Sequence, residues 1–390
     1  MISFLDLAAD FSEVEADARA RIDAVLARQQ FVLGPQTAEL EKRMRERTGA
    51  LAALACSSGS DALYLALAAL GIGAGDAVVV PAFTFFASAG AVVRTGAEPV
   101  FCDVDTRGFM AGGAQFEAAI EREFGSRHGA ELRHRRSGAR LRALMPVHLY
   151  GQAAAMTEIV GVAGARGLAV IEDAAQAIGA DVDGRSVGRW GNVGCFSFYP
   201  TKNLGGAGDG GMLLTDDGAV AARLARLRVH GASVTDPYLH EEVGINARMG
   251  EMQAAVLNAK LGRLDAWTER RRDVAARYMA RLEPLSRAGA LLLPHCATAS
   301  QHVWHQFTVR IAERRDQVVS RMEAGGVAAR VFYPRPLHLQ PCFSALGYRD
   351  GDLPECEKAA AQVLCLPIYP SLGDDDVDRV CESLAAALAV

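Results

Sequence analysis

A single lysine stands in residues 196–211, F-S-F-Y-P-T-K-N-L-G-G-A-G-D-G-G, of a chain that has only four lysines (Lys42, Lys202, Lys260, Lys358) among 41 basic residues. Arginine supplies positive charge on any surface, but its guanidinium keeps its proton. A lysine amine loses its proton when desolvated and can then bond to a carbonyl carbon. Lys202 is therefore a candidate nucleophile, with glycines around it to give it room. Asp173, in I-E-D-A-A-Q at residues 171–176, closes a run that reads as a buried strand. A carboxylate at such a strand end lies where ligands bind in doubly wound sheets, and it suits a ring nitrogen that must stay protonated; a helix cap is the plain alternative. In S-S-G-S-D, residues 57–61, a glycine and the free N–H groups of a helix start make an anion seat, or simply a capped helix.

An anion seat, a carboxylate for a ring nitrogen and a loop amine are together what pyridoxal phosphate requires. The literal G-x-G-x-x-G at Gly206, Gly208 and Gly211 does not indicate a nicotinamide dehydrogenase. It precedes a strand instead of opening a helix, and no acid follows about 20 residues on.

The elements that must position these residues alternate. Strand-like runs at 51–56, 77–80, 99–103, 141–147, 168–172, 194–198 and 211–215 are interleaved with helical runs at 62–70, 114–123 and 156–166. That rhythm predicts an α/β domain, a mostly parallel sheet covered by helices on both faces. Two helices precede it, at 14–29 and 36–47, separated by F-V-L-G-P. Residues 250–282 read as one long helix ending before Pro284, followed by a strand at 306–311, a helix at 314–324 and two further helical stretches, a smaller α+β domain. The expected division is 1–250 and 251–390.

Half of the 390 residues are hydrophobic and 22% are charged, so a folded chain is expected, and at this length more than one domain. The net charge of −5 gives no case for nucleic acid. The basic stretch 122–142 reads as a solvated surface loop. No secretion signal or membrane-spanning run is present, and eight cysteines lack any regular spacing, which predicts a cytoplasmic protein with reduced thiols. His302 and His305 form an H-x-x-H that nothing nearby completes, so no metal is expected.

With S-S-G-S-D-A-L, P-V-H-L-Y-G-Q, I-E-D-A-A-Q-A, F-S-F-Y-P-T-K-N-L, N-A-R-M-G-E-M-Q-A-A and Y-P-R-P-L-H-L-Q-P in this order, the sequence resembles the DegT/StrS-type sugar aminotransferases over nearly its whole length. These are fold-type I pyridoxal-phosphate enzymes that aminate nucleotide-linked keto sugars. The resemblance implies that Lys202 forms the covalent link to the cofactor, Asp173 binds its ring nitrogen and Gln176 its ring hydroxyl. It implies Gly59, Ser60 and Ser197 at the phosphate, Phe85 stacked on the ring, and Asn246 reaching the phosphate of a neighbouring subunit in a homodimer. Tyr150, Tyr333 and His338 fall in segments that border the substrate in relatives. L-glutamate is the implied amino donor, and the motifs lean toward amination at C3. A dehydratase of the same family is an alternative that typically has histidine in place of the lysine; a non-catalytic regulator is another.

Overall fold

In the structure, a computed structural model that describes residues 1–126, 131–296 and 302–389, the main path of the central sheet runs through β1 (Ala52–Cys56), β2 (Asp76–Pro81), β3 (Glu98–Cys102), β4 (Arg140–Leu144), β5 (Ala169–Asp173), β6 (Val193–Ser197) and β7 (Gly211–Thr215). Their order is β1-β7-β6-β5-β4-β2-β3. β7 runs antiparallel to both its neighbours. The pairs β6–β5, β5–β4, β4–β2 and β2–β3 are parallel. Helices Gly59–Ala69, Ala87–Arg94, Gly113–Glu123 and Met156–Gly164 make the crossovers from β1 to β2, β2 to β3, β3 to β4 and β4 to β5, and β5 reaches β6 through the short hairpin Asp181–Val182 with Arg185–Ser186. Helices on both faces explain the near-continuous apolar strands: every residue of β2 and β7 is buried. The carboxyl ends of β1, β2, β4, β5 and β6 consequently open on one edge.

A second core surrounds the antiparallel pair β8 (Phe307–Arg310) and β9 (Val363–Leu366). Tyr278, Phe307, Val309 and Leu384 are fully buried in it, between helices Leu264–Arg287 and Asp374–Leu388. Ile2 joins this core: its N–H donates to the Gly326 carbonyl at 2.8 Å and its carbonyl accepts from Ala328 N–H at 3.0 Å.

Two expectations are corrected. The predicted helix over 250–282 is two helices, Glu251–Leu261 and Leu264–Arg287, parted at Gly262 and Arg263, and the second continues through Pro284. Glycine is a weak helix former, which favours the break. Pro284 lies one turn from the helix end, where its missing N–H removes one hydrogen bond while its carbonyl still accepts from Ala288 N–H at 3.1 Å. The basic stretch 122–142 is not a plain loop but an antiparallel strand pair, Phe124–Ser126 with Leu132–His134; residues 127–130 lie outside the described ones. Hydrogen bonds from the His134 ring to the Glu123 and Glu98 carboxylates tie the pair down and raise the His134 pKa to about 9. It meets the sheet where Arg133 faces Arg140, the first residue of β4. That is the amino end of the strand, on the side away from the ligand edge.

Among the described residues no helix is long and apolar enough to cross a membrane. All eight cysteines are free, and six of them are buried.

Candidate active site

Five strand ends converge on a cavity of about 480 Å³. Ser58, Gly59 and Ser60 follow β1, Thr84 and Phe85 follow β2, Val147 follows β4, Asp173 closes β5 and Ser197 closes β6. Gln176, Tyr199, Thr201, Lys202, Asp209, His305, Gln306, Phe332 and Tyr333 also line the wall.

At one end lies the first turn of helix Gly59–Ala69. Ser58 caps it, its Oγ accepting from Asp61 N–H at 3.0 Å. The amides of Gly59 and Ser60 have no acceptor within the helix and stand at the positive end of its dipole. A Cβ on Gly59 would come within 2.7 Å of Ser197 Cβ, so only glycine lets the helix start approach the end of β6 this closely. The seat thus combines two amides with the Ser60 and Ser197 hydroxyls, a donor set that fits a phosphate.

Asp173 is buried, and its carboxylate is oriented by two donors, Ser88 Oγ at 2.7 Å and Ala175 N–H at 3.2 Å. The neighbouring Glu172 points to the other face. Its carboxylate accepts from the amides of Gly188, Trp190 and Gly191 at 2.7 Å each and meets His148 Nε2 at 3.0 Å. His148 Nδ1 accepts from Ala154 N–H at 3.0 Å, so the ring proton is on Nε2 and is donated to Glu172. This fully satisfied buried carboxylate fixes the strand end that presents Asp173.

Lys202 follows β6 in a tight loop. A Cβ on Gly205 would collide with the Pro200 carbonyl, and the Gly205 carbonyl accepts from Lys260 Nζ at 2.7 Å. Asn203 Nδ2 donates to the Val303 carbonyl at 2.8 Å. With the loop held this way, burial lowers the Lys202 pKa from 10.5 to about 8, against the Asp173 carboxylate, which favours the charged form. An amine so placed is partly neutral at neutral pH and able to attack a carbonyl.

Of the residues singled out from the sequence, the structure brings Gly59, Ser60, Phe85, Asp173, Gln176, Ser197, Lys202 and Tyr333 to this one cavity. Gln176 accepts from Tyr150 N–H at 2.7 Å and donates to Tyr333 Oη at 3.0 Å, leaving one amide hydrogen for a ligand. The Phe85 ring is 54% exposed and stands 5.9 Å from that of Tyr333, an open aromatic face on the cavity wall. Two others are not brought there. Tyr150 is buried with its hydroxyl donating to the Phe332 carbonyl, and His338 is buried with Nε2 2.9 Å from Glu357. Asn246 is exposed, is not among the residues that line this cavity, and accepts from Arg248 Nε at 2.9 Å. Sequence reasoning missed Ser88, His305 and Gln306, whose proximity to the site arises only from long-range folding. Among the described residues no group of three or more His, Cys, Asp or Glu is placed to hold a metal.

The description of the DegT/DnrJ/EryC1/StrS aminotransferase family matches residues 12–385. The chain belongs to that family. It is 42% identical over 385 residues to a pleiotropic regulatory protein of Geobacillus stearothermophilus, covering 98% of each chain. It is 40% identical over 387 residues to the UDP-N-acetyl-3-dehydro-alpha-D-glucosamine 3-aminotransferase of Acidithiobacillus ferrooxidans, covering 99% of this chain and 98% of that one. Its structure superimposes on S. venezuelae DesV, solved in complex with a ketimine intermediate, with a TM-score of 0.90 at 40% identity over 100% of this chain and 99% of that chain.

Proposed function

We propose that this protein is a pyridoxal-phosphate aminotransferase that moves an amino group from L-glutamate to a nucleotide-linked keto sugar, at C3. The observation that carries the reading is the convergence of a desolvated Lys202 amine, an oriented Asp173 carboxylate and a phosphate-fitting helix start on one cavity. The donor set fits the cofactor: Gly59, Ser60 and Ser197 at its phosphate, Asp173 at its ring nitrogen, Gln176 at its hydroxyl and Phe85 against its face. Bound there, pyridoxal phosphate supplies an aldehyde that takes up an amine and a protonated ring that draws electrons from the adjoining carbon.

The chain's own residues do the rest. Lys202 Nζ, in its neutral form, removes the proton from the α-carbon of the amino donor; in the second half of the cycle it delivers a proton to the sugar carbon that receives nitrogen. Asp173 keeps the ring nitrogen protonated, and Ser88 keeps Asp173 aimed. Partial desolvation by the cavity wall keeps the pKa of the Lys202 amine low. Lys202, where a dehydratase of this family would carry histidine, supports transfer over dehydration.

We further propose an obligate homodimer in which Asn246 completes the partner's phosphate seat. Its support is the exposure of Asn246 together with exposed apolar side chains at Phe31, Val32, Val234, Tyr238 and Val243, a surface suited to a second copy. The free, mostly buried thiols suit the cytoplasm. The test is incubation with cofactor, glutamate labelled in its amino nitrogen and candidate nucleotide-linked keto sugars. Label is expected in the sugar product with the natural chain and not with Lys202→Ala. Absence of transfer to every keto sugar, with no colour change on adding glutamate, overturns the proposal.

A further inference from the structure

The wall of the cavity includes two consecutive side chains to which the preceding reading gives no role. Gln306 is 6% exposed, and its Oε1 is buried without a hydrogen-bond partner. An unpaired buried acceptor is costly, so a native structure that keeps one beside a cavity implies a ligand donor or a trapped water. His305 is 4% exposed. The amide of Asn203 donates to the Val303 carbonyl, so its Oδ1 is the atom that faces His305 Nδ1, at 3.1 Å, and that nitrogen must carry the ring proton. Burial, and then the nearby Lys202, keep the imidazole neutral. Its Nε2 is therefore an acceptor as well. This part of the wall offers two acceptors side by side.

Acceptors of this kind pair with hydroxyl groups, which can donate, and not with ionised phosphate or carboxylate oxygens, which cannot. We propose that Gln306, with His305 beside it, accepts hydrogen bonds from hydroxyls of the acceptor sugar, making Gln306 a specificity-determining residue for keto sugars that keep a hydroxyl next to the carbonyl. The inference rests on the aminotransferase reading above. A deoxygenated sugar leaves Gln306 Oε1 buried and unpaired. A site built to bind a hydroxyl rejects the analogue that lacks it, here by roughly tenfold or more in kcat/KM. Gln306 also borders a space of about 20 Å³, room for one water, which is the competing partner for Oε1.

The experiment compares two nucleotide-linked 3-keto hexoses, one with its C4 hydroxyl and one deoxygenated at C4, with the holoenzyme and L-glutamate. The natural chain is expected to prefer the hydroxylated sugar by about tenfold or more. Gln306→Leu is expected to reduce that preference to within about threefold, and His305→Asn, which keeps a donor toward Asn203 but removes the ring acceptor, to reduce it in part. Calorimetric Kd values of the two amino-sugar products on the holoenzyme should show the same ratio. If the natural chain aminates both sugars equally, or Gln306→Leu leaves the ratio unchanged, the inference fails and the aminotransferase reading survives. A rise in the KM for glutamate with an unchanged sugar ratio also overturns it, assigning Gln306 to the amino donor. If neither sugar is aminated, the aminotransferase reading fails and takes this one with it. Should Gln306→Leu not fold, the ratio of the natural chain decides alone.

Discussion

The Lys202 amine offers the sharpest quantitative test. Burial lowers its pKa from 10.5 to about 8, while the Asp173 carboxylate pulls the other way. At pH 7 an amine of pKa 8 is about 9% neutral and one of pKa 10.5 about 0.03%, so the cavity increases the reactive form about 300-fold. Removing the opposing carboxylate with Asp173→Asn must lower the pKa further, because the remaining effect is desolvation alone. The assay is trace acetylation of the cofactor-free protein across pH 6 to 11, read by mass spectrometry of the peptide that carries Lys202. Lys42 and Lys358, with exposed side chains, are the reference amines in the same sample. The Lys202 signal should climb up to about pH 8 and level off while the references are still rising. In Asp173→Asn the plateau should begin at lower pH. A Lys202 profile that follows the references, or a plateau displaced upward by Asp173→Asn, would refute the account of how this amine is activated.

Other consequences can be measured separately. Gly59→Ala places a methyl group 2.7 Å from Ser197 Cβ, so it should cost about 1–3 kcal/mol of stability and weaken cofactor binding at least about tenfold, seen by equilibrium titration. Ser88→Ala removes a 2.7 Å hydrogen bond to the buried Asp173 carboxylate, a loss of about 1.5–3 kcal/mol expected in urea unfolding together with weaker cofactor retention. His134, with its pKa raised to about 9, gains more from its two carboxylates when protonated; that stability is full below pH 6.5 and lost as pH rises through 9. The stability gap between the natural chain and His134→Gln should therefore be widest at pH 6 and narrow by pH 10, and a gap constant with pH contradicts the pairing.

Much of the fold was legible because its signals are local. Apolar strand runs of five or six residues place β1, β2, β5 and β6, and polar residues that close or follow three of them, Ser57, Asp173 and Ser197, mark the ligand edge. Lys202 and Asp173 could be read because each lies directly beyond, or closes, a recognisable strand. The contact between Ser88 and Asp173, 85 residues apart in sequence, leaves no local mark. Gln306 sits in an irregular segment, after Trp304 with φ +48°, where strand periodicity says nothing about which way a side chain points. In the 122–142 stretch the charged residues outnumber any strand-like run, and the pairing of His134 with two carboxylates that holds the hairpin leaves no mark in the local sequence. Pro284 misled for a different reason: the rule against helical proline is weakest in a final turn.

The union of Ile2 with residues 326–328 joins segments separated by most of the sequence. During synthesis on a ribosome, the edge that Ile2 completes does not yet exist, and the opening segment has to wait unpaired while nearly the whole polypeptide emerges. Closing so large a loop carries an entropic toll and comes late in folding.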